Sequence, residues 1–273
     1  MSLHPVLLKN VVRITTAGDL LGSGSIVSVR SESGSAQQWP YLVTAHHVVR
    51  SQVLSEVDVP DPASDELQRG ISVDADQWRQ PIPDVDLAVA PFPHEQVTRW
   101  QAFSLETQFI DDDAVVPLGG TVHYLGIFAP PDVPMARTGS LGAYDVLVEM
   151  VENGRRYRYH GDLLDCRSYI GFSGSPCLGT LGYAVLNRPA VVPSEVPPNP
   201  DGSPPLLVHT ANLASVCGIL TSHYSDANNE DAAGIVSRYG VCVMLPAHYI
   251  RAALSDDTAL AKRRRWDADA TCE

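Results

Sequence analysis

Gly171-Phe172-Ser173-Gly174-Ser175-Pro176 sets a serine between two glycines. Glycine accepts backbone angles closed to other residues, so such a turn can hold a hydroxyl out with main-chain N–H groups beside it. Gly171 lies two residues before Ser173, and the N–H groups of both can point into one small cavity and meet an oxyanion there. A serine hydroxyl is a weak nucleophile until an adjacent base takes its proton. Imidazole suits that task near neutral pH, and a buried carboxylate fixes its tautomer and stabilises the imidazolium. Both groups lie upstream. Tyr41-Leu42-Val43-Thr44-Ala45-His46-His47-Val48-Val49 is an apolar strand running into paired histidines, and Asp84-Val85-Asp86-Leu87-Ala88-Val89-Ala90 carries carboxylates at the head of a second apolar strand.

Strand signals dominate outward from these segments. Short β-branched runs at 11–15, 25–30, 41–44, 71–74, 87–90, 122–128, 137–142, 146–151, 156–160, 206–209, 215–221 and 241–245 are separated by Gly, Pro, Asp and Ser, the pattern of a barrel or sandwich. Asn153-Gly154 between two such runs predicts a tight hairpin, with Arg156, Arg158 and His160 on a solvent face and Tyr157 and Tyr159 on a packed one. Asp111-Asp112-Asp113 reads as a boundary between halves, and the proline-dense 188–205 as a surface loop. After Pro246, the spacing of Ile250, Ala253 and Leu254 predicts a helix, and Ser255 reads as the cap of a second.

The chain has 273 residues, 44% of them hydrophobic, enough for one large all-β domain or two small barrels. A net charge of −13 repels phosphate backbones and argues against nucleic acid as a partner. The basic run Lys262-Arg263-Arg264-Arg265 reads as the positively charged end of a terminal helix. No apolar run reaches the ~18 residues of a membrane span, so no membrane partner is expected. The first residues resemble no signal peptide, which favours a cytoplasmic location, although a mature secreted form would look the same. Five cysteines without a C-x-x-C pair indicate neither a disulfide framework nor a zinc site, and no metal or other cofactor is expected.

Taken in the order His, Asp, Ser, these motifs resemble the chymotrypsin/trypsin-like serine peptidases, and most the bacterial branch with Gly-x-Ser-Gly-Ser-Pro around the nucleophile. The resemblance runs from Leu21-Gly22-Ser23-Gly24-Ser25 to the C-terminal helix. It implies an all-β fold of two antiparallel barrels with a C-terminal α-helix: residues 1–115 carrying the base and acid, 116–245 carrying the nucleophile, and 246–273 forming helix and tail. By the match Ser173 is the nucleophile, with the N–H groups of Gly171 and Ser173 as oxyanion hole. His47 is the base, since the family's histidine directly precedes Cys, Val or a similar residue, and His46 is its competitor. Asp86 is the acid, since it directly precedes Leu-Ala, and Asp84 is its competitor.

Departures from the family pattern are informative. Val48 stands where the secreted animal enzymes carry a cysteine, and Phe172 where they carry the aspartate that pairs with a newly cut N-terminus. Activation by that ion pair is therefore not expected, and the Phe172 ring should pack beneath the oxyanion loop. The match also marks Arg167, Gly218 and Leu220 as substrate-binding positions. Arg167 would favour an acidic side chain, whereas Leu220, after Gly218-Ile219, points to an apolar pocket wall, and the preference stays open between them. The expected activity is hydrolysis of polypeptide substrates through an acyl-enzyme. The competing reading is a catalytically silent barrel that binds protein. An α/β-hydrolase esterase would place its nucleophile before its acid and base, which this chain does not.

Overall fold

The computed structural model describes residues 5–33, 37–60, 67–92, 102–110, 115–128, 133–152, 155–167, 171–180, 214–223 and 240–270. The elements in the first half are β1 (Val11–Thr16), β2 (Asp19–Arg30), β3 (Gln38–Thr44), the single turn α1 (His46–Val49), β4 (Leu54–Pro60), β5 (Leu67–Asp74), β6 (Ala88–Pro91) and β7 (Phe103–Ser104). In the second half they are β8 (Thr121–Phe128), β9 (Val133–Glu152), β10 (Arg155–Asp165), β11 (Pro176–Thr180), β12 (Ala214–His223) and β13 (Val241–Pro246), followed by α2 (Ala247–Leu254) and α3 (Asp257–Ala270).

Two β-sheets result, in the all-β arrangement that the motifs imply. The first runs β5-β4-β1-β2-β3-β6, with β7 parallel to β2; the second closes into a barrel, β10-β13-β12-β11-β8-β9. The β1–β2 hairpin turns through Ala17 and Gly18, both at positive φ, as a two-residue type I′ turn requires. Val12, Ile14, Ile26, Leu42 and Val57 fill the core of the first sheet, and the second is filled by Tyr124, Leu125, Leu164, Val243 and Leu245.

The strand readings differ from the structure in identifiable ways. The runs at 137–142 and 146–151 are one strand, β9, which passes without interruption through Asp145 at φ 50°. Its ladder with β10 shifts register around Leu163, and these bulges absorb the extra residues. β9 and β10 pair out to Glu152↔Arg155, the positions flanking Asn153-Gly154. Tyr157 and Tyr159 are buried and Arg156, Arg158 and His160 exposed, as alternation requires. The turn 153–154, the boundary 111–113, the proline-dense loop 188–205 and the run 206–209 lie outside the described residues.

The chain's end joins the two sheets. α2 buries Ile250, Ala253 and Leu254 and packs on β12 and β13. Ser255 closes α2 rather than opening α3: its N–H bonds back to Arg251 O and Ala252 O, and Asp256 caps α3 by accepting the Ala259 N–H at 2.7 Å. α3 lies on the first sheet. Trp266 stacks against Trp39 and Tyr41, with ring centroids 5.1 and 5.7 Å away, and Asp267 accepts the Trp39 indole N–H at 2.8 Å and the Ser31 hydroxyl. The basic run sits mid-helix, not at the helix end. Its Arg263 is only 2% exposed, donates to Leu254 O at 2.6 Å and pairs with Glu32 at 3.0 Å.

Candidate active site

β3 ends at Thr44, and α1 turns the chain so that Val48 and Val49 enter the core of the first sheet. That anchoring aims the preceding His47 at Asp86. Buried Val85 and Leu87 fix the Asp86 segment on either side, and Val85 O accepts the Gln80 side-chain amide at 2.8 Å. Asp86 is fully buried and grips His47 twice: Oδ1 accepts the His47 main-chain N–H at 2.9 Å, and Oδ2 accepts Nδ1–H at 2.7 Å. A buried carboxylate needs such donors to be tolerated. With Nδ1 committed as donor, the basic lone pair falls on Nε2.

The competing residues face elsewhere. His46 Nδ1 lies 3.1 Å from the Tyr157 hydroxyl, with the rings edge to face. Asp84 is exposed, sits at φ 62°, and offers its main-chain carbonyl to the Arg158 N–H at 2.9 Å. Burial, helped by the nearby Arg155 charge, pulls the His46 pKa down from 6.5 to about 4. The unfolded chain therefore takes up a proton at His46 that the folded chain refuses until about pH 4. Stability from this group is complete above pH 6.5 and is lost as the pH falls through about 4. Urea midpoints at pH 7 and pH 4.5 should therefore fall further in the wild type than in His46→Gln; equal falls would show that His46 titrates as if exposed.

Ser173 is half-buried on a turn held almost wholly by main-chain bonds. Its carbonyl accepts the Ser23 N–H at 2.8 Å, the Gly174 N–H reaches Leu220 O at 2.7 Å, and the Leu220 N–H reaches Ser175 O at 2.8 Å. Among the described residues, no main-chain acceptor is bonded to the N–H of Gly171 or Ser173. Gly22 brings the parts together. A Cβ at Gly22 would lie 2.8 Å from Ser173 O and 2.8 Å from a methyl of Val48, the residue after His47. The Phe172 ring is fully buried and stands edge-on to Tyr124 at 5.6 Å, so an apolar ring occupies the space beneath the turn; its burial contributes about 2–3 kcal/mol.

Gly171 at φ +97° and Gly174 at φ +86° are the two left-handed positions of this turn. A Cβ on Gly174 would also run into the Ser23 carbonyl oxygen and the Thr44 hydroxyl. Gly174→Ala is therefore expected to cost about 2–4 kcal/mol of stability, since both strain and overlap act at one position. Urea denaturation measures this, and a wild-type midpoint would contradict the turn geometry.

Of the substrate-binding positions, Arg167 is exposed, and its main-chain carbonyl accepts the Tyr124 hydroxyl at 2.6 Å. Gly218 packs directly against the Leu245 carbonyl, while the Leu220 side chain is in the core and its main chain braces the Ser173 turn. Sequence reasoning assigned no site role to Tyr157, Tyr159 or Thr221. The Tyr159 hydroxyl bonds the Thr221 hydroxyl at 2.8 Å, and burial, followed by the Asp86 charge, raises the pKa of both tyrosines. The only advance signal was the alternation that put the two tyrosines on the packed face. Cys177, four residues past Ser173, is no rival nucleophile, because burial pushes its thiol well above the ordinary value. Among the described residues, no group of three metal-ligating side chains converges, and no helix is long and apolar enough to cross a membrane.

The fold resembles that of known proteins. Solved structures similar to the chain include the MamO protease domain from Magnetospirillum magneticum in its apo form, with 18% identity and a TM-score of 0.57, covering 93% of this chain and 100% of that one. They also include the Rv3671c protease from M. tuberculosis in its active form, with 14% identity and a TM-score of 0.53, covering 92% of this chain and 83% of that one. At these identities the likeness is one of fold. No curated protein matches the chain. A family profile described as a trypsin-like peptidase domain matches residues 22–185, more than half of the sequence, and the chain belongs to that family.

Proposed function

We propose that the protein is a serine endopeptidase that hydrolyses peptide bonds of polypeptides through an acyl-enzyme on Ser173. The observation that carries this reading is the fully buried Asp86 holding both the main-chain N–H and Nδ1 of His47. A carboxylate used only for stability has no need to fix the tautomer of a neighbouring imidazole. Ser173 Oγ attacks the substrate carbonyl while His47 Nε2 takes its proton. The N–H groups of Gly171 and Ser173 meet the oxyanion. His47 returns the proton to the departing amine, and a water, deprotonated in turn by His47, releases the acid product. Phe172 fills the space under the turn by burial, so the reading requires no acidic partner there.

A fluorophosphonate probe tests this directly. Ser173 Oγ displaces fluoride from phosphorus, and mass spectrometry should find the adduct on the Ser173 peptide. His47→Ala should abolish labelling. Absence of both labelling and peptide cleavage would leave the silent protein-binding barrel as the reading. Profiling with a peptide library then assigns the preference that Arg167 and Leu220 leave open.

A further inference from the structure

Ser23 lies on β2, in the first sheet, yet most of its hydrogen bonds reach the second. It is fully buried. Its hydroxyl donates to the Gly171 carbonyl at 2.6 Å and accepts the Ile127 N–H, from the end of β8, at 2.8 Å. Its own N–H binds the Ser173 carbonyl at 2.8 Å. Its carbonyl accepts the Thr44 hydroxyl at 2.7 Å, at the end of the strand that leads into His46 and His47. One residue thus holds the carbonyls on both sides of Phe172 and is tied to the segment that carries the base.

We infer that Ser23 is a positioning residue for the oxyanion site, its hydroxyl fixing the main chain of Gly171 by its carbonyl. This rests on the peptidase reading above. A hydroxyl has one proton and accepts through its lone pairs. Here the proton goes to Gly171 O and a lone pair receives the Ile127 N–H, so the hydroxyl bridges β8 to the turn. Gly171 at φ +97° has no side chain to anchor it, so its main chain is held by contacts such as this one. Without the Ser23 hydroxyl, the Gly171 carbonyl would be left in a buried space with no donor from β2, and the cheapest remedy is for Gly171 to shift towards another donor. The N–H on the other side of the same Cα shifts with the residue, and it is one of the two donors the oxyanion needs. Since the hydroxyl comes from the other sheet, the donor is set only when the two sheets are docked.

Ser23→Ala tests the inference, with kcat and KM measured on a peptide substrate and Ki measured for a peptide boronic acid, which forms a tetrahedral adduct on the nucleophile. The expected result is a fall in kcat of about 10- to 100-fold with KM unchanged, and a rise in the boronate Ki by a similar factor. Binding of a cleaved product peptide, which carries no tetrahedral oxyanion, should not change. Ser23→Gly keeps the main-chain N–H to Ser173 O while removing the hydroxyl, and it carries the same expectation should Ser23→Ala fail to fold. Wild-type kcat and boronate Ki in a folded variant, or a loss confined to thermal stability, would overturn the inference. Fluorophosphonate labelling of the wild type separates the two failures. A wild type that labels, with Ser23 variants as active as it is, sinks this inference alone; a wild type that does not label sinks the peptidase reading and the inference with it.

Discussion

Ser173→Ala should lower kcat for a peptide substrate by about 10⁶-fold, the largest effect expected of any single substitution in the chain. The residual rate would be that provided by substrate binding and the main-chain donors alone. The fold should be unaffected. The turn is held through the Ser173 carbonyl, the Gly174 N–H and the Ser175 carbonyl, none of which depends on the Ser173 side chain. That side chain is half-buried, so truncation leaves no closed apolar cavity. Kinetics and a thermal melt on the same sample provide the check. Unchanged turnover would remove Ser173 as the nucleophile, and a large fall in melting temperature would show that its hydroxyl has a structural part.

Asp86→Asn should lower turnover by about 10⁴-fold while leaving the Ser173 turn in place. The two contacts that Asp86 makes explain why a near-isosteric change is so costly. Oδ1 can remain an acceptor for the His47 main-chain N–H as an amide oxygen. The other atom then becomes an NH₂ facing Nδ1 at about 2.7 Å, where a proton already sits. Two donors cannot share that line, so the imidazole proton moves to Nε2 and the lone pair needed to deprotonate Ser173 is lost. Asp84→Asn is the control. Asp84 is exposed and contributes its main-chain carbonyl to Arg158, so its turnover should stay within a few-fold of wild type. A reversed outcome, with Asp84 critical and Asp86 dispensable, would overturn the assignment of the acid.

The sequence made legible those elements whose burial follows a simple alternation. β1, β3, β8, β12 and β13 were all visible as apolar or alternating runs. β4 was not, because Asp58 lies between Val57 and Val59 and is itself buried, paired with Arg13 at 2.9 Å. A charged residue reads as surface until its partner, 45 positions away, is known. β11 begins with Pro176 and contains Gly179, both of which argue against a strand when read locally. The runs at 137–142 and 146–151 were read as two strands, where the structure has one strand with bulges in its ladder to β10.

In the site, the flanking residues alone separated His47 from His46 and Asp86 from Asp84 as candidates, and the two selected are the pair that meet. Ser23 gave no such signal. In Leu21-Gly22-Ser23-Gly24-Ser25 a serine reads as a turn residue, and its bond to Gly171 spans 148 positions. A hydrogen bond between elements so distant leaves no periodicity behind. The contact between His46 and Tyr157, 111 positions apart, was hidden for the same reason.

The seating of α3 on the first sheet gives the chain a timetable. Ser31 and Trp39 reach their partner Asp267 only across 236 and 228 residues of sequence. A ribosome adding roughly 5–20 residues per second needs tens of seconds to cover that interval. Until then Trp39 and Tyr41 lack the Trp266 ring, and Glu32 has no Arg263. The first sheet is thus completed only after the second has been synthesised, by a helix that follows both in sequence. The segments that carry His47, Asp86 and Ser173 have therefore all been made before the cover of the first sheet can close.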